Sequence, residues 1–367
     1  MKNTHWHLSL VILCLFTLLA CDKKEEFVPA DYICIIVNQG NLSSSNGSLS
    51  ILKTDGTVDQ EVYTKANRWK LASIIESVTL HQDLLILMCS NEDKVEIIDN
   101  KTFKSVCEPI RGIGIPRYCT VYQNGAYVTC TDSWNPNANG QVCKIDLATK
   151  KVVEKISLNG IPEGIKELNG LLYVATGNGV AVINPNTDEI IRHIEIYENG
   201  ITAKHLVTDY EGKLWVSFTE TDGKTGIASL KTSEDFTSNG TLADLQFSSF
   251  IPLKNMDMWG TIDITPDGKK LLYLSAEGVV GAQNAEAETA ICSFDIATNT
   301  LPSDPLITGT GFYGFNVNPL NGDIYTANVN GFITNSVTYI YNAAGKKIND
   351  GLITGVGSCR FVFKSEP

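Results

Sequence analysis

Ten side chains in this 367-residue chain have the types that recognition or catalysis at a concave site requires. Glu76, Arg117, Tyr118, Glu163, Lys204 and His205 fall on short apolar runs that each open a repeated unit. Trp259, Tyr313 and Arg360 occupy the same place in later units, and Asp263 lies nearby. Trp134 stands in SWNPNANGQ, a loop longer than a minimal hairpin; EGVVGAQNAEAE is a second such loop, and either could wall a pocket. Loop positions Asn38, Asn41, Asn91, Asn135, Asn178, Glu220, Glu277 and Asn328 add amides and charge. Aromatic faces give large contact area at low entropic cost, and amides match carboxamides donor to acceptor. The set therefore suits a large, neutral-to-zwitterionic ligand with many amide groups. Charges near a common axis can equally pair with one another, and the tryptophans can serve packing alone.

Catalytic chemistry has fewer carriers. Carboxylates with a histidine could hold a hard cation or act as a general base, as a metal-dependent lactonase or lyase would need. Five histidines occur, and His5 and His7 lie in the leader. His81 reads as a turn residue and His193 as part of an outer strand, which leaves His205. A lone histidine is more often a hydrogen-bonded structural group than a base. There is no Ser-His-Asp ordering, glycine-rich phosphate cradle or H-E-x-x-H. The expectation is a protein that is not an enzyme, with no catalytic residue, metal site or cofactor.

The elements that must position these residues are short strands. From Asp31 onward, alternating or apolar runs are punctuated by Asn-Gly, Asp-Gly and Gly-Asn, without long helical periodicity. Six units begin with IIESVTLHQDLLILMCS, IPRYCTVYQNGAYVTCT, IPEGIKELNGLLYVATG, ITAKHLVTDYEGKLWVSF, WGTIDITPDGKKLLYLSA and FYGFNVNPLNGDIYTAN. Spacing of about 40 to 60 residues is that of four-stranded propeller blades. A seventh unit assembles from the two ends: YICIIVNQG, SLSILKTDG and TVDQEVY lack a first strand, and the C-terminal GVGSCRFVFK supplies one. The fold expected is all-β, a seven-bladed β-propeller of four-stranded blades, with the ring closed by pairing the C-terminal strand with the N-terminal strands. Closure removes two sheet edges that would invite aggregation. Two β-sandwiches would explain neither the fixed unit nor the split one.

Residues 1–20 read as a signal peptide whose apolar run, LSLVILCLFTLLA, is too short to span a bilayer comfortably. It ends in Leu18-Leu19-Ala20-Cys21, which resembles a bacterial lipobox with Cys21 as the lipidated residue. A plain secretory leader with a chance cysteine is the alternative. Residues 21–30 form the lipidated cysteine and tether, and 31–367 the propeller. The formal net charge of −12 offers no basic footprint for nucleic acid, and 43% hydrophobic residues exclude a disordered chain. None of the cysteines forms C-x-x-C. In CTVYQNGAYVTC an Asn124-Gly125 turn would set Cys119 opposite Cys130, to pack or to bridge.

LLYVATGNGVAVINPNTDEIIRHI and GAYVTCTDSWNPNANGQVCKIDLATKKVVEKI resemble units of the YncE-like, YVTN-type propeller superfamily, a likeness covering nearly all of residues 31–367. The opening IIVNQGNLSSSNGSLSIL is similar to the first blade of Bacteroidota propeller lipoproteins, some of them surface cobalamin-binding proteins of the BtuG type. The charged Asp22-Lys23-Lys24-Glu25-Glu26 resembles the export signal of surface-displayed lipoproteins of that group. The resemblance implies a lipid-anchored protein on the outer membrane that captures cobalamin or another corrinoid. It would pass the ligand to a TonB-dependent transporter of the BtuB type. A protein- or glycan-binding scaffold using the same face is the other non-catalytic possibility.

Overall fold

The computed structural model describes residues 27–135, 138–196, 201–220, 224–230 and 245–364. Cys21, the leader and most of the tether lie outside the described residues, as do positions 136 and 137 of the Trp134 loop.

Seven four-stranded antiparallel sheets follow one another around a ring. Six are continuous in sequence, with innermost strands at Ser77–His81, Ile115–Tyr122, Pro162–Leu168, Ile201–Thr208, Ile262–Ile264 and Phe312–Val317. The first blade is composite: Ser358–Phe363 is innermost, followed outward by Tyr32–Asn38, Ser48–Lys53 and Val58–Asp59. Ile36 lies opposite Phe361 and Cys34 opposite Phe363 across the closing seam. The split unit read from the two chain ends is therefore present.

Continuous apolar runs form the middle strands because both faces of each blade are covered by neighbouring blades. Gly125–Thr131 and Leu171–Thr176 are buried throughout, whereas the outer Lys151–Leu158 is mostly exposed. A hydrophobic cluster fills each of the seven interfaces between blades, including the closing one, where Cys34, Ile36 and Phe361 meet Tyr325, Ala327 and Ile340. The turn leaving several third strands is fixed by one device. Asp99, Asp146 and Asp295 each accept from the N–H and hydroxyl of the threonine three residues on.

Three local expectations need correction. The run TVDQEVY is not one strand: pairing stops at Asp59, and Glu61 in left-handed conformation (φ 55°) turns the chain into a short helix, Val62–Asn67, that buries Val62 and Tyr63. Cys119 does not face Cys130. The turn lies at Gln123-Asn124, one position earlier than expected, so Cys119 pairs with Val128 and Cys130 with Pro116. His81 ends a strand and is not a turn residue. All eight described cysteines are free, five of them buried and three half-buried. Among the described residues, no helix is long and apolar enough to cross a membrane.

Candidate functional site

The innermost strands all begin at the same end of the ring, and there they carry a recurrent irregularity. Pairing with the second strand slips between Pro116 and Cys119, Pro162 and Ile165, Ala203 and Leu206, and Phe312 and Phe315. The residues released are Arg117-Tyr118, Glu163-Gly164, Lys204-His205 and Tyr313-Gly314. On the closing strand Cys359, next to Arg360, is skipped in the same way. A β-bulge re-aims side chains without ending the sheet, and here it turns them toward the channel.

Backbone groups freed by the bulges find partners on buried hydroxyls. Tyr118 N donates to Thr129 Oγ1 (3.0 Å), which donates to Glu163 O in the next blade (2.8 Å). His205 N donates to Ser217 Oγ, and Thr326 Oγ1 donates to Gly314 O. Gly314 is required by close approach, since a Cβ there would stand 2.3 Å from the Cys359 carbonyl oxygen.

Eight of the ten candidates line one cavity of about 910 Å³ at this mouth: Glu76, Arg117, Tyr118, Trp134, Glu163, Trp259, Tyr313 and Arg360. Lys204 and His205 do not. Lys204 is turned onto Glu163, and His205 lines a smaller chamber of about 280 Å³ further along the strands. Tyr118 and Arg360 border both spaces. Of the loop positions, Asn41 and Asn91 reach the cavity. Asn38 is the fully buried end of a strand, where it holds Ser48, Ser50, Ser358 and the Gly355 N–H. Asp263 accepts from Asn316 and from the N–H groups of Val317 and Ile264, which makes it a strut between blades.

Sequence reasoning missed Gln39, Leu42, Ile74, Ser133, Ile161 and Phe332, which also line the cavity. Phe332 has the most telling signal, an Asn-Gly-Phe turn in which all three residues have positive φ. That turn presses Phe332 perpendicular to Tyr313 at 4.7 Å, and Tyr313 in turn meets Trp259 at 6.2 Å. The three rings form one aromatic wall. Across from it, the Arg117 guanidinium lies 5.3 Å from the ring centre of Trp134, whose outer face is exposed.

The floor is ionic. Arg117 is almost completely buried and bonds Glu76 at 2.9 Å and Glu163 at 2.8 Å, while Lys204 reaches the other Glu163 oxygen at 3.2 Å. Burial acts to raise the Glu163 carboxyl, but Arg117 and Lys204 outweigh it and hold it below its ordinary value. Tyr118 donates to Glu76 at 3.3 Å and accepts from Arg360 at 3.2 Å. Asp257 ties the Trp259 loop by accepting from Trp259 N, Thr261 N and Thr261 Oγ1, and burial lifts its carboxyl to about 6. Among the described residues, no three His, Cys, Asp or Glu side chains gather to hold a metal ion.

His205 packs edge-on against Tyr118 at 5.0 Å. Burial, then the Arg360 charge, depresses its imidazole from 6.5 to about 3. Between those values an unfolded chain binds a proton that the folded ring refuses, so this residue makes unfolding easier as pH falls from 6.5 toward 3. In His205→Gln, denaturant unfolding at a series of pH values is expected to fall less steeply across that window. Asp257 acts in the opposite sense and remains in both proteins, so it cancels from the comparison. Equal slopes would place His205 in free solvent contact.

The chain belongs to a family described as a domain of unknown function (DUF5074), whose model matches residues 32–354. No curated protein matches it. Solved structures share the fold at low identity. The periplasmic gluconolactonase of Pseudomonas aeruginosa is 14% identical with a TM-score of 0.65, over 90% of this chain and 99% of that one. A quinonprotein alcohol dehydrogenase-like protein from Bacteroides thetaiotaomicron is 15% identical with a TM-score of 0.63, over 91% and 78%. Hydrazine synthase of Kuenenia stuttgartiensis is 16% identical with a TM-score of 0.56, over 72% and 76%. Three such different proteins on one architecture mean that function must be read from the site and not from the fold.

Proposed function

We propose that this protein is a non-catalytic capture propeller whose mouth cavity binds a large, amide-rich small molecule, with cobalamin or a related corrinoid as the ligand. The observation that carries the reading is the cavity itself. Its volume of about 910 Å³ lies at the upper end of ordinary ligand pockets. Asn41 is held by the Phe332 carbonyl and by Ser43. An aromatic wall of Trp259, Tyr313 and Phe332 shares the lining with the amides of Gln39 and Asn91. A flat macrocycle stacks on the first and its side-chain amides bond the second.

The first-blade resemblance to BtuG-type proteins supports the corrinoid. The lipobox-like Leu18-Leu19-Ala20-Cys21 supports a lipid anchor on the outer membrane, and with it delivery to a BtuB-type, TonB-dependent transporter. A lactonase-like reaction finds less support, because Glu76 and Glu163 are both committed to Arg117 and neither is available as a base or cation ligand. A protein- or glycan-binding scaffold would use the same rim, where Leu42, Trp134 and Ile333 stand exposed.

Calorimetric and visible-absorption titration of the mature domain with cyanocobalamin tests the reading. Saturable binding at micromolar concentration or tighter is expected, weakened at least about tenfold by Tyr313→Ala, as for a central aromatic anchor. No heat and no spectral change at those concentrations would remove the corrinoid.

A further inference from the structure

Around the channel the charges are unevenly paired. Glu76 and Glu163 are both taken by Arg117, and Glu163 is shared with Lys204. Arg360 has no carboxylate within 4 Å among the described residues; its side-chain hydrogen bond goes to the neutral Tyr118 hydroxyl. Deeper in the channel, Lys166 faces Asp263, whose two oxygens already accept three hydrogen bonds. With Asp257, whose charge acts on Arg360 at longer range, the cations and carboxylates are equal in number, yet the Arg360 guanidinium touches none of the carboxylates, in a chain whose formal net charge is −12. A guanidinium taken largely out of water is costly unless a counter-charge meets it. Its planar fork fits an oxyanion through two parallel N–H···O bonds.

Placement agrees with charge. Arg360 borders both the mouth cavity and the chamber beneath it, so its guanidinium is reachable from either space. On the wall of the lower chamber, buried Thr208 Oγ1 has no hydrogen-bond partner among the described residues, and Asn316 lies on the same wall. A chamber of about 280 Å³ admits a phosphate- or carboxylate-sized group but not a whole macrocycle.

We propose that Arg360 is an oxyanion-binding centre at the waist of the channel, taking a phosphate, phosphodiester or carboxylate group of single negative charge. This rests on the channel's own charges, so failure of a corrinoid to bind at the mouth would leave it standing. The oxyanion is either a free ion or the anionic group of a larger molecule seated in the mouth cavity.

The test uses the full mature domain at low ionic strength, titrated separately with inorganic phosphate, dimethyl phosphate and acetate, and followed by calorimetry and by ¹⁵N signals of the arginine guanidinium groups. Saturable binding of at least one anion is expected, with a shift of one guanidinium. Affinity should fall at least tenfold in Arg360→Gln and less in Arg360→Lys, which keeps the charge. Binding of phosphate alone identifies a free-ion site; binding of dimethyl phosphate or acetate identifies the anionic group of a larger ligand. Absence of saturable binding by all three anions overturns the proposal, and so does undiminished binding in Arg360→Gln. If that variant does not fold, the wild-type guanidinium spectrum decides: saturable binding with one shifted guanidinium, lost from its place in Arg360→Lys, supports the site, and binding with no guanidinium shift overturns it.

Discussion

Replacing Arg117 by methionine is expected to remove about 3–5 kcal/mol of stability at neutral pH, the range found when one partner of a buried ion pair is deleted. The reason lies in what remains behind. Arg117 is the common partner of Glu76 and Glu163, and all three side chains are close to fully buried. Among the described residues Lys204 pairs with Glu163 and not with Glu76, so the variant strands at least one carboxylate out of water. The loss should shrink as pH is lowered and those carboxylates take up protons. Adding Glu76→Gln and Glu163→Gln to Arg117→Met should recover most of it. Urea unfolding at pH 7.5 and pH 5 measures both effects. A loss below about 1 kcal/mol, the scale of an exposed pair, would mean that channel water already solvates these charges.

Removing residues 357–367 is expected to abolish the native ring altogether. That segment carries the innermost strand of the first blade and buries Cys359 and Phe361. Without it, the edge of Tyr32–Asn38 is unpaired, and Cys34 and Ile36, both fully buried, lose their cover. Buried Asn38 also loses Ser358, one of the groups that satisfy its carbonyl oxygen. An open edge beside an exposed apolar cluster is an aggregation template. Calorimetry and size-exclusion chromatography should show no cooperative transition and a large aggregated fraction. A monomer melting within a few degrees of the full-length domain would show that six blades hold without the seventh.

Blade number and closure were legible because each repeat writes the same apolar strands between the same Asp- and Gly-bearing turns. Side chains at the starts of innermost strands could be found for the same reason: Arg117, Glu163, Lys204 and Tyr313 hold equivalent positions in different blades. The bulges were not legible, because one skipped residue leaves no mark on an apolar run. The expected meeting of Cys119 with Cys130 came from a turn misplaced by one residue, since Cys119 already pairs with Val128 before the slip begins. Asn38 looked like a loop amide because a Gln-Gly pair follows it, yet it lies inside the closing seam. Gln39, Ser133 and Phe332 escaped notice because loops from distant parts of the chain converge only once the ring has closed.

The free cysteines have a practical consequence. Burial raises every described thiol except Cys143, with Cys89 and Cys119 reaching about 12, and Cys143 is lowered by the hydrogen bond it shares with Cys130. Buried, protonated sulfur is a poor nucleophile. Folding of this domain therefore needs no oxidative pairing, and material made under reducing conditions should match material made under oxidising ones. Alkylation by a thiol dye then becomes a clock for blade separation, because the five buried sulfurs, on blades one, two and three, are uncovered only as neighbouring sheets part.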